Sequence, residues 1–286
     1  MIHIIYHNDL DGISSAAIAY KYYFDKIQDF KPEYLNLIPM SYDKTLPFDV
    51  ITKQTPVIML DFAPERPGEF QELINKSKHI IWIDHHKSVI SQFTELEGKR
   101  DSSKAACELT WEYFFFGQDI PYIIKRIGDV DIWKWEFDDS EAIYESLKMR
   151  DVTPCEMSWW NNLLTFTKEN HYMISRLKKE GETCIQYRNY LYKDYASGLS
   201  FESRFDYLKC ICINCAYCGS KVFDSIENIE EYDLKVTFNF SGKVWNISLY
   251  SAKSEVDCSE IAHSFGGGGH KGAAGFSCKE LPYWLK

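Results

Sequence analysis

The sequence of 286 residues has no excess of basic charge: 32 Lys and Arg face 42 Asp and Glu, for a net charge of −10 and a pI of about 5.3. A protein that tracks long nucleic acid usually carries a basic surface, because phosphate neutralisation supplies much of its affinity. The deficit argues against long polyanions more than against small phosphorylated molecules, which a bound metal would attract. No apolar stretch approaches the roughly 20 residues that span a bilayer, so no membrane partner is expected. The N-terminus lacks a basic segment and runs straight into a strand, so a signal peptide is not expected and the expected location is cytoplasmic. Nine cysteines, an odd number, read as free thiols rather than a disulfide framework. Apart from four consecutive glycines, the chain has no repeat or low-complexity segment.

What is present is a core and a series of ligand-type residues at strand ends. Hydrophobic residues make up 45% and aromatic residues 16%, ample for one large or two ordinary domains. Short apolar runs at Ile2–Tyr6, Val57–Leu60 and Ile80–Ile83 alternate with helical patterns at Ile13–Phe24, Pro67–Lys76, Ser103–Phe116 and Ile120–Ile127. Runs of this kind fit parallel strands buried on both faces, and the alternation predicts a doubly wound, mainly parallel α/β domain over residues 1–150. Residues 151–197 read as a charged helical connector, including a helix at Lys168–Glu182. Residues 198–286 change character, with strands expected at Leu208–Asn214, Leu234–Phe240 and Val244–Tyr250 and a helix at Ser259–Phe265, a smaller α+β domain.

The informative feature is where the acids and histidines fall. His7-Asn8-Asp9-Leu10-Asp11-Gly12 follows the first strand, Asp61 the second, and Asp84-His85-His86 the third; Asp129 and Asp131 lie in Gly128-Asp129-Val130-Asp131. Ligands of α/β sheets collect outside the carboxyl ends of the strands. In an extended segment His7, Asp9 and Asp11 share one side, and Gly12 allows a sharp turn into the next helix. Carboxylates mixed with imidazoles suit two Mn²⁺ ions, with Mg²⁺, Co²⁺ or Fe²⁺ as substitutes, and without a nearby thiolate they do not suit structural zinc. Two ions bridged by a carboxylate are a device for phosphoryl transfer. Each acid alone reads equally well as a helix cap or loop residue; their joint order is what favours chemistry.

The chain resembles the DHH phosphoesterase superfamily, in the branch with a DHH-associated C-terminal domain, on Asp9–Gly12, Asp61, Asp84-His85-His86, Asp129 and the glycine signature Gly267–Gly275. The resemblance implies an oligoribonuclease-like hydrolase acting on phosphoester bonds. Asp61 would bridge two metals, and His7, Asp9, Asp11, His85 and Asp129 would complete the ligands, with Asp131 as the alternative to Asp129. His86 would face the scissile phosphate and Asp84 would orient a ligand imidazole. The sequence departs from the family in two places. His7 stands two residues before Asp9 where many members have four, and Ser248-Leu249-Tyr250-Ser251 replaces a Ser-Leu-Arg-Ser stretch.

In Gly266–Gly269, backbone N–H groups are free to approach an anion, and His270 and Lys271 would add charged hydrogen bonds; the alternative is a hinge. With the resemblance, Gly267, Gly268, Gly269, His270 and Lys271 are expected to hold a substrate's terminal phosphate or sugar across an interdomain cleft. The expected activity is a Mn²⁺-dependent phosphodiesterase or exonuclease on short oligonucleotides or small nucleotide diesters. Alternatives are a phosphatase on polyphosphate, pyrophosphate or a nucleotide bisphosphate, and a silent nucleotide-binding module; a homodimer is left open. Cys212, Cys215 and Cys218 have iron–sulfur spacing, but Cys210 and Cys212 alternate with isoleucines and read as core. Trp133 and Trp135 either cover the core or stack a nucleobase. His3 reads as a core histidine, and Glu227–Asp233 as a solvated turn.

Overall fold

The computed structural model describes all residues except 43, 65, 88, 166 and 167, and the side chains of 168–170. The expected helix at Lys168–Glu182 therefore begins beside residues outside that description. The chain divides into two compact units, Met1–Cys184 and Ile185–Lys286.

The first unit is a parallel sheet covered on both faces. Its elements are β1 (Ile2–His7), α1 (Leu10–Lys26), β2 (Leu35–Met40), β3 (Val57–Leu60), α2 (Glu69–Lys76), β4 (Ile80–Ile83), α3 (Ala106–Phe114), α4 (Tyr122–Asp131), α5 (Ser140–Lys148) and α6 (Met157–Leu164). The four strands lie in the order β2-β1-β3-β4, all pairings parallel. Side chains alternate across a strand, and here both sets are apolar. Ile4, Tyr6, Ile58, Leu60 and Ile83 pack with residues of α1, α3, α4 and α6. Ile5, Val57, Met59, Ile80 and Trp82 pack on the other face with Phe62, Phe70 and Leu73. A sheet buried on both sides produces the continuous apolar runs seen in the sequence. His3 fits this interior: Asn36 donates to its Nδ1 at 3.0 Å, and its Nε2 donates to the Val50 carbonyl at 3.1 Å.

α7 (Lys168–Leu199) leads into the second unit, whose remaining elements are β5 (Ser200–Phe205), β6 (Leu208–Asn214), β7 (Leu234–Phe240), β8 (Trp245–Ser251), α8 (Cys258–Ser264), β9 (Gly268–Gly269) and β10 (Ala273–Cys278). They form a mixed sheet in the order β5-β6-β7-β8-β10-β9, in which only β6 and β7 pair in parallel. Cys210 and Cys212 are buried in β6 on the face opposite Ile211 and Ile213, as their alternation required, and the described cysteines are all free. Among the described residues no helix is long and apolar enough to cross a membrane.

Candidate metal centre

The site is built at the carboxyl ends of β1, β3 and β4 and completed by the end of α4. Asp9 is the N-cap of α1. Its backbone is extended, and its Oδ1 accepts the Gly12 N–H at 2.9 Å, satisfying one of the amides a helix start leaves unpaired. Its Oδ2 receives the His7 Nδ1 at 2.7 Å. Gly12 is required by contact rather than by conformation, because a Cβ there would lie 2.0 Å from the His7 carbonyl oxygen. That close approach lays the start of α1 against the end of β1.

Asp11, fully buried, faces inward from the first turn of α1. Its two oxygens accept the N–H groups of Ala106 at 2.8 Å and Cys107 at 2.7 Å, at the N-terminus of α3. A carboxylate is favoured there by the helix dipole and by free amides. Asp61 takes a left-handed backbone (φ 53°) just past β3, a conformation aspartate tolerates better than most residues. The residue is 1% exposed, and among the described residues its Oδ1 has no hydrogen-bond partner. That oxygen lies 3.3 Å from the His85 Nε2 and 3.9 Å from the His86 Nδ1, while Oδ2 lies 3.7 Å from the His7 Nδ1.

Asp84 is fully buried and organises the tripeptide rather than joining the cluster. Its Oδ1 accepts the backbone N–H groups of His85 at 2.7 Å and His86 at 3.1 Å, and the His86 Nδ1 at 2.7 Å; Oδ2 accepts the Trp82 indole at 3.2 Å. Burial pushes this carboxyl up, but the bonds from His86 outweigh it and hold it below its usual range. The imidazole that Asp84 orients is therefore His86.

Of the two acids expected to compete for this place, the structure brings Asp131, the alternative, to the cluster rather than Asp129. The Asp131 Oδ2 lies 3.5 Å from the His85 Nε2, and Asp11, His85 and Asp131 form one candidate metal group. Asp129 instead turns its carboxylate to the loop beyond α4, where it accepts Glu136 N–H at 2.7 Å and Phe137 N–H at 3.2 Å. Residues two apart on a helix lie about 200° apart around its axis, so both cannot face one centre.

Three groups of potential ligands overlap: His7, Asp9 and Asp61; Asp61, His85 and His86; Asp11, His85 and Asp131. Asp61 and His85 each belong to two. The electrostatics call for cations. Burial, then the charge of Asp11, pushes Asp61 well above its usual range; burial and Asp11 do the same to Asp131, and burial raises Asp11. His7, which burial alone would lower, is lifted to about 10 by Asp61 and Asp9. Without other cations, the site holds protons on groups that would otherwise be free of them.

Tyr42, just beyond β2, carries no sequence signal beyond being aromatic. Its ring stacks on Phe62 (5.5 Å, 26°) and lies 5.1 Å from the His7 ring, and its hydroxyl is 3.4 Å from the His86 Nε2. With Nδ1 donating to Asp84, Nε2 is the accepting nitrogen.

The glycine run in the second unit is a hairpin rather than a ring of free amides. Gly266 and Gly267 donate to His263 and Ala262 at the end of α8, and His270 and Ala273 exchange both backbone bonds around Lys271-Gly272. The glycines are needed for packing: a Cβ on Gly267 would lie 2.2 Å from the Gly275 carbonyl oxygen. The side chains of His270 and Lys271 are exposed at the tip.

Residues 1–130 match the model of the DHH family, N-terminal domain. An uncharacterized protein, R106 of Acanthamoeba polyphaga mimivirus, is 26% identical over 96% of this chain and 66% of its own length. The chain thus spans just under two thirds of that curated relative. Among solved structures, the DHH domain of a member of a ribosomal-protein family superposes with a TM-score of 0.55 at 13% identity, over 96% of this chain and 82% of that one. The pGpG-specific phosphodiesterase PggH of Vibrio cholerae gives 0.48 at 13% identity, over 98% and 94%. The first of these bears on the fold alone.

Proposed function

We propose that the chain is a divalent-metal-dependent phosphodiesterase that hydrolyses short oligonucleotides or small nucleotide diesters. The observation that carries this reading is the Asp61 Oδ1, sealed from solvent without a hydrogen-bond donor among the described residues, facing the imidazoles of His85 and His86. A buried carboxylate oxygen left unpaired costs stability, and a cation at that point removes the cost. The donor set fits: one carboxylate shared by two ligand groups, with an imidazole and a carboxylate in one and two imidazoles in the other, and two further carboxylates around His85. His7 and Asp9 would hold one ion, Asp11, His85 and Asp131 the other, with Asp61 between them; such mixed donors suit Mn²⁺, with Mg²⁺ or Co²⁺ as substitutes. Bound there, the ions would neutralise phosphate charge and make a water nucleophilic near neutral pH.

The chain's own groups do the rest. His86 stands at the edge of the cluster with its ring fixed by Asp84, so its Nε2 is the nitrogen turned to a substrate oxygen, there to take up a proton and pass it to the leaving group. The Tyr42 hydroxyl occupies that nitrogen in the absence of substrate. In the second unit His270 and Lys271 are the groups for a substrate phosphate, now through their side chains, because the Gly266 and Gly267 amides bond the end of α8 and the His270 amide closes the hairpin. The acidic balance of the chain agrees with a small substrate rather than a long polyanion.

Hydrolysis of a panel tests the proposal: 5′-pApA, five-nucleotide and longer RNA and DNA, cyclic dinucleotides, adenosine 3′,5′-bisphosphate and polyphosphate, with Mn²⁺ and with EDTA. The expected result is cleavage of the short diesters with Mn²⁺ only, abolished in Asp61→Asn. Turnover of polyphosphate with none of any diester would overturn it.

A further inference from the structure

Two tryptophans stand out of the loop that follows Asp131. Trp133 and Trp135 are 59% and 40% exposed, with ring centroids 5.9 Å apart in an edge-on arrangement of 80°. They do not cover the core. Both adopt left-handed backbone conformations, with φ of 58° and 55°, which for bulky residues are outliers. Strain of this kind persists only where the surroundings impose it, and it gathers at functional sites.

Here Asp129 imposes it. Its carbonyl accepts the N–H groups of Lys134 at 2.9 Å and Trp135 at 3.5 Å, while its carboxylate accepts those of Glu136 and Phe137. The foot of the loop is clamped by Arg126, which lies 3.9 Å over the Phe137 ring and bonds Asp139 at 3.0 Å. A buried aspartate thus holds two large aromatic rings in water beside the candidate centre. Trp133 follows Asp131 by two residues, so their Cα atoms are at most about 7.6 Å apart. The loop that carries the pair, with the exposed Lys134 between them in sequence, therefore begins next to the cluster.

We propose that Trp133 and Trp135 are the platform on which a nucleobase of the substrate stacks while its phosphodiester lies at the metal cluster. The proposal rests on the phosphodiesterase reading and narrows it. Flat aromatic faces bind bases of any identity by stacking, whereas a polyphosphate offers them nothing. The loop therefore selects for a nucleotidic substrate without selecting its sequence.

Steady-state kinetics on Trp133→Ala, Trp135→Ala and the two Trp→Phe variants would test this, with 5′-pApA and its abasic counterpart as substrates. Truncating one stacking partner should raise the KM for pApA about 5- to 150-fold with little change in kcat. The preference for pApA over the abasic diester should shrink by the same factor, and phenylalanine should restore most of it. Alanine variants with an unchanged KM for pApA would overturn the proposal, as would a wild type that makes no distinction between the two diesters. A titration with AMP in the presence of Mg²⁺, followed by tryptophan fluorescence, separates this from the phosphodiesterase reading. Quenching that weakens in Trp133→Ala supports the platform even if no diester is turned over. Equal quenching in wild type and both alanine variants sinks it.

Discussion

Asp84 and His86 are joined by a 2.7 Å bond from the imidazole Nδ1 to a carboxylate that also accepts the backbone N–H groups of His85 and His86. One buried acid thus sets both the path of the backbone and the tilt of the ring. Asp84→Asn replaces one oxygen with an amide whose own N–H groups must face either these donors or the Trp82 indole, which keeps its bond to the Phe62 carbonyl; either way donor meets donor in a buried place. The expected cost is about 1–3 kcal/mol of stability, read by thermal melting. Turnover should fall about 10- to 100-fold, while binding of the ion assigned to His7 and Asp9, followed calorimetrically, changes less because Asp84 bonds neither residue. Full activity in Asp84→Asn would show that the ring's orientation is set elsewhere.

Gly12→Ala and Gly128→Ala should behave in opposite ways although both lie in helices beside the centre. At Gly12 a Cβ meets the His7 backbone at 2.0 Å; at Gly128 it meets the Glu108 Oε2 at 2.7 Å, the end of a flexible side chain. The first change must push α1 off β1, at a cost of about 1–3 kcal/mol or more, and weaken metal binding with it. The second is offset by the roughly 1 kcal/mol that alanine contributes over glycine in a helix. Chemical denaturation of the two variants checks the contrast, and equal losses would contradict it.

Asp131→Ala and Asp129→Ala separate ligand from support. Removing Asp131 should reduce the metal stoichiometry measured by calorimetry from two ions to one. Removing Asp129 should leave two ions bound but release the loop of Trp133 and Trp135, at about 1–3 kcal/mol for the bonds it leaves unmade. The reverse pattern would restore Asp129 as the ligand.

These two aspartates also mark how far the sequence could be read. The apolar runs of β1, β3 and β4 are continuous because the sheet is covered on both faces, so their ends, and the acids there, stood out. β2 did not: Asn36 and Pro39 interrupt it, and only its ends are buried. Tyr42, placed by that strand, was invisible for the same reason. The choice between Asp129 and Asp131 depended on where α4 ends. Ser103–Phe116 and Ile120–Ile127 were legible as helices from periodicity, but α4 runs on to Asp131, and the helical phase at its last turn decides which acid faces His85. In the glycine run, composition showed that backbone had to come close to something. It could not show that the partner was β10 rather than an anion.

The protonation of the cluster gives a pH dependence with a definite sign. His7 is held at about 10 against an ordinary 6.5, so the folded chain without metal retains a proton there that the unfolded chain loses across that interval. The raised carboxyls of Asp11, Asp61 and Asp131 act in the same direction above their ordinary 3.8. A folded state that binds more protons than the unfolded state loses stability as pH rises. In EDTA the melting temperature should therefore fall between pH 6.5 and 9.5. Metal ions need the same groups deprotonated, so their binding releases protons and tightens with pH. The increase in melting temperature caused by a fixed Mg²⁺ concentration should accordingly grow over this range, by up to a tenfold gain in affinity per pH unit for each proton released. A constant increment, or a metal-free form that melts higher at pH 9.5 than at 6.5, would mean that His7 and the buried acids do not share the proton load that metal replaces.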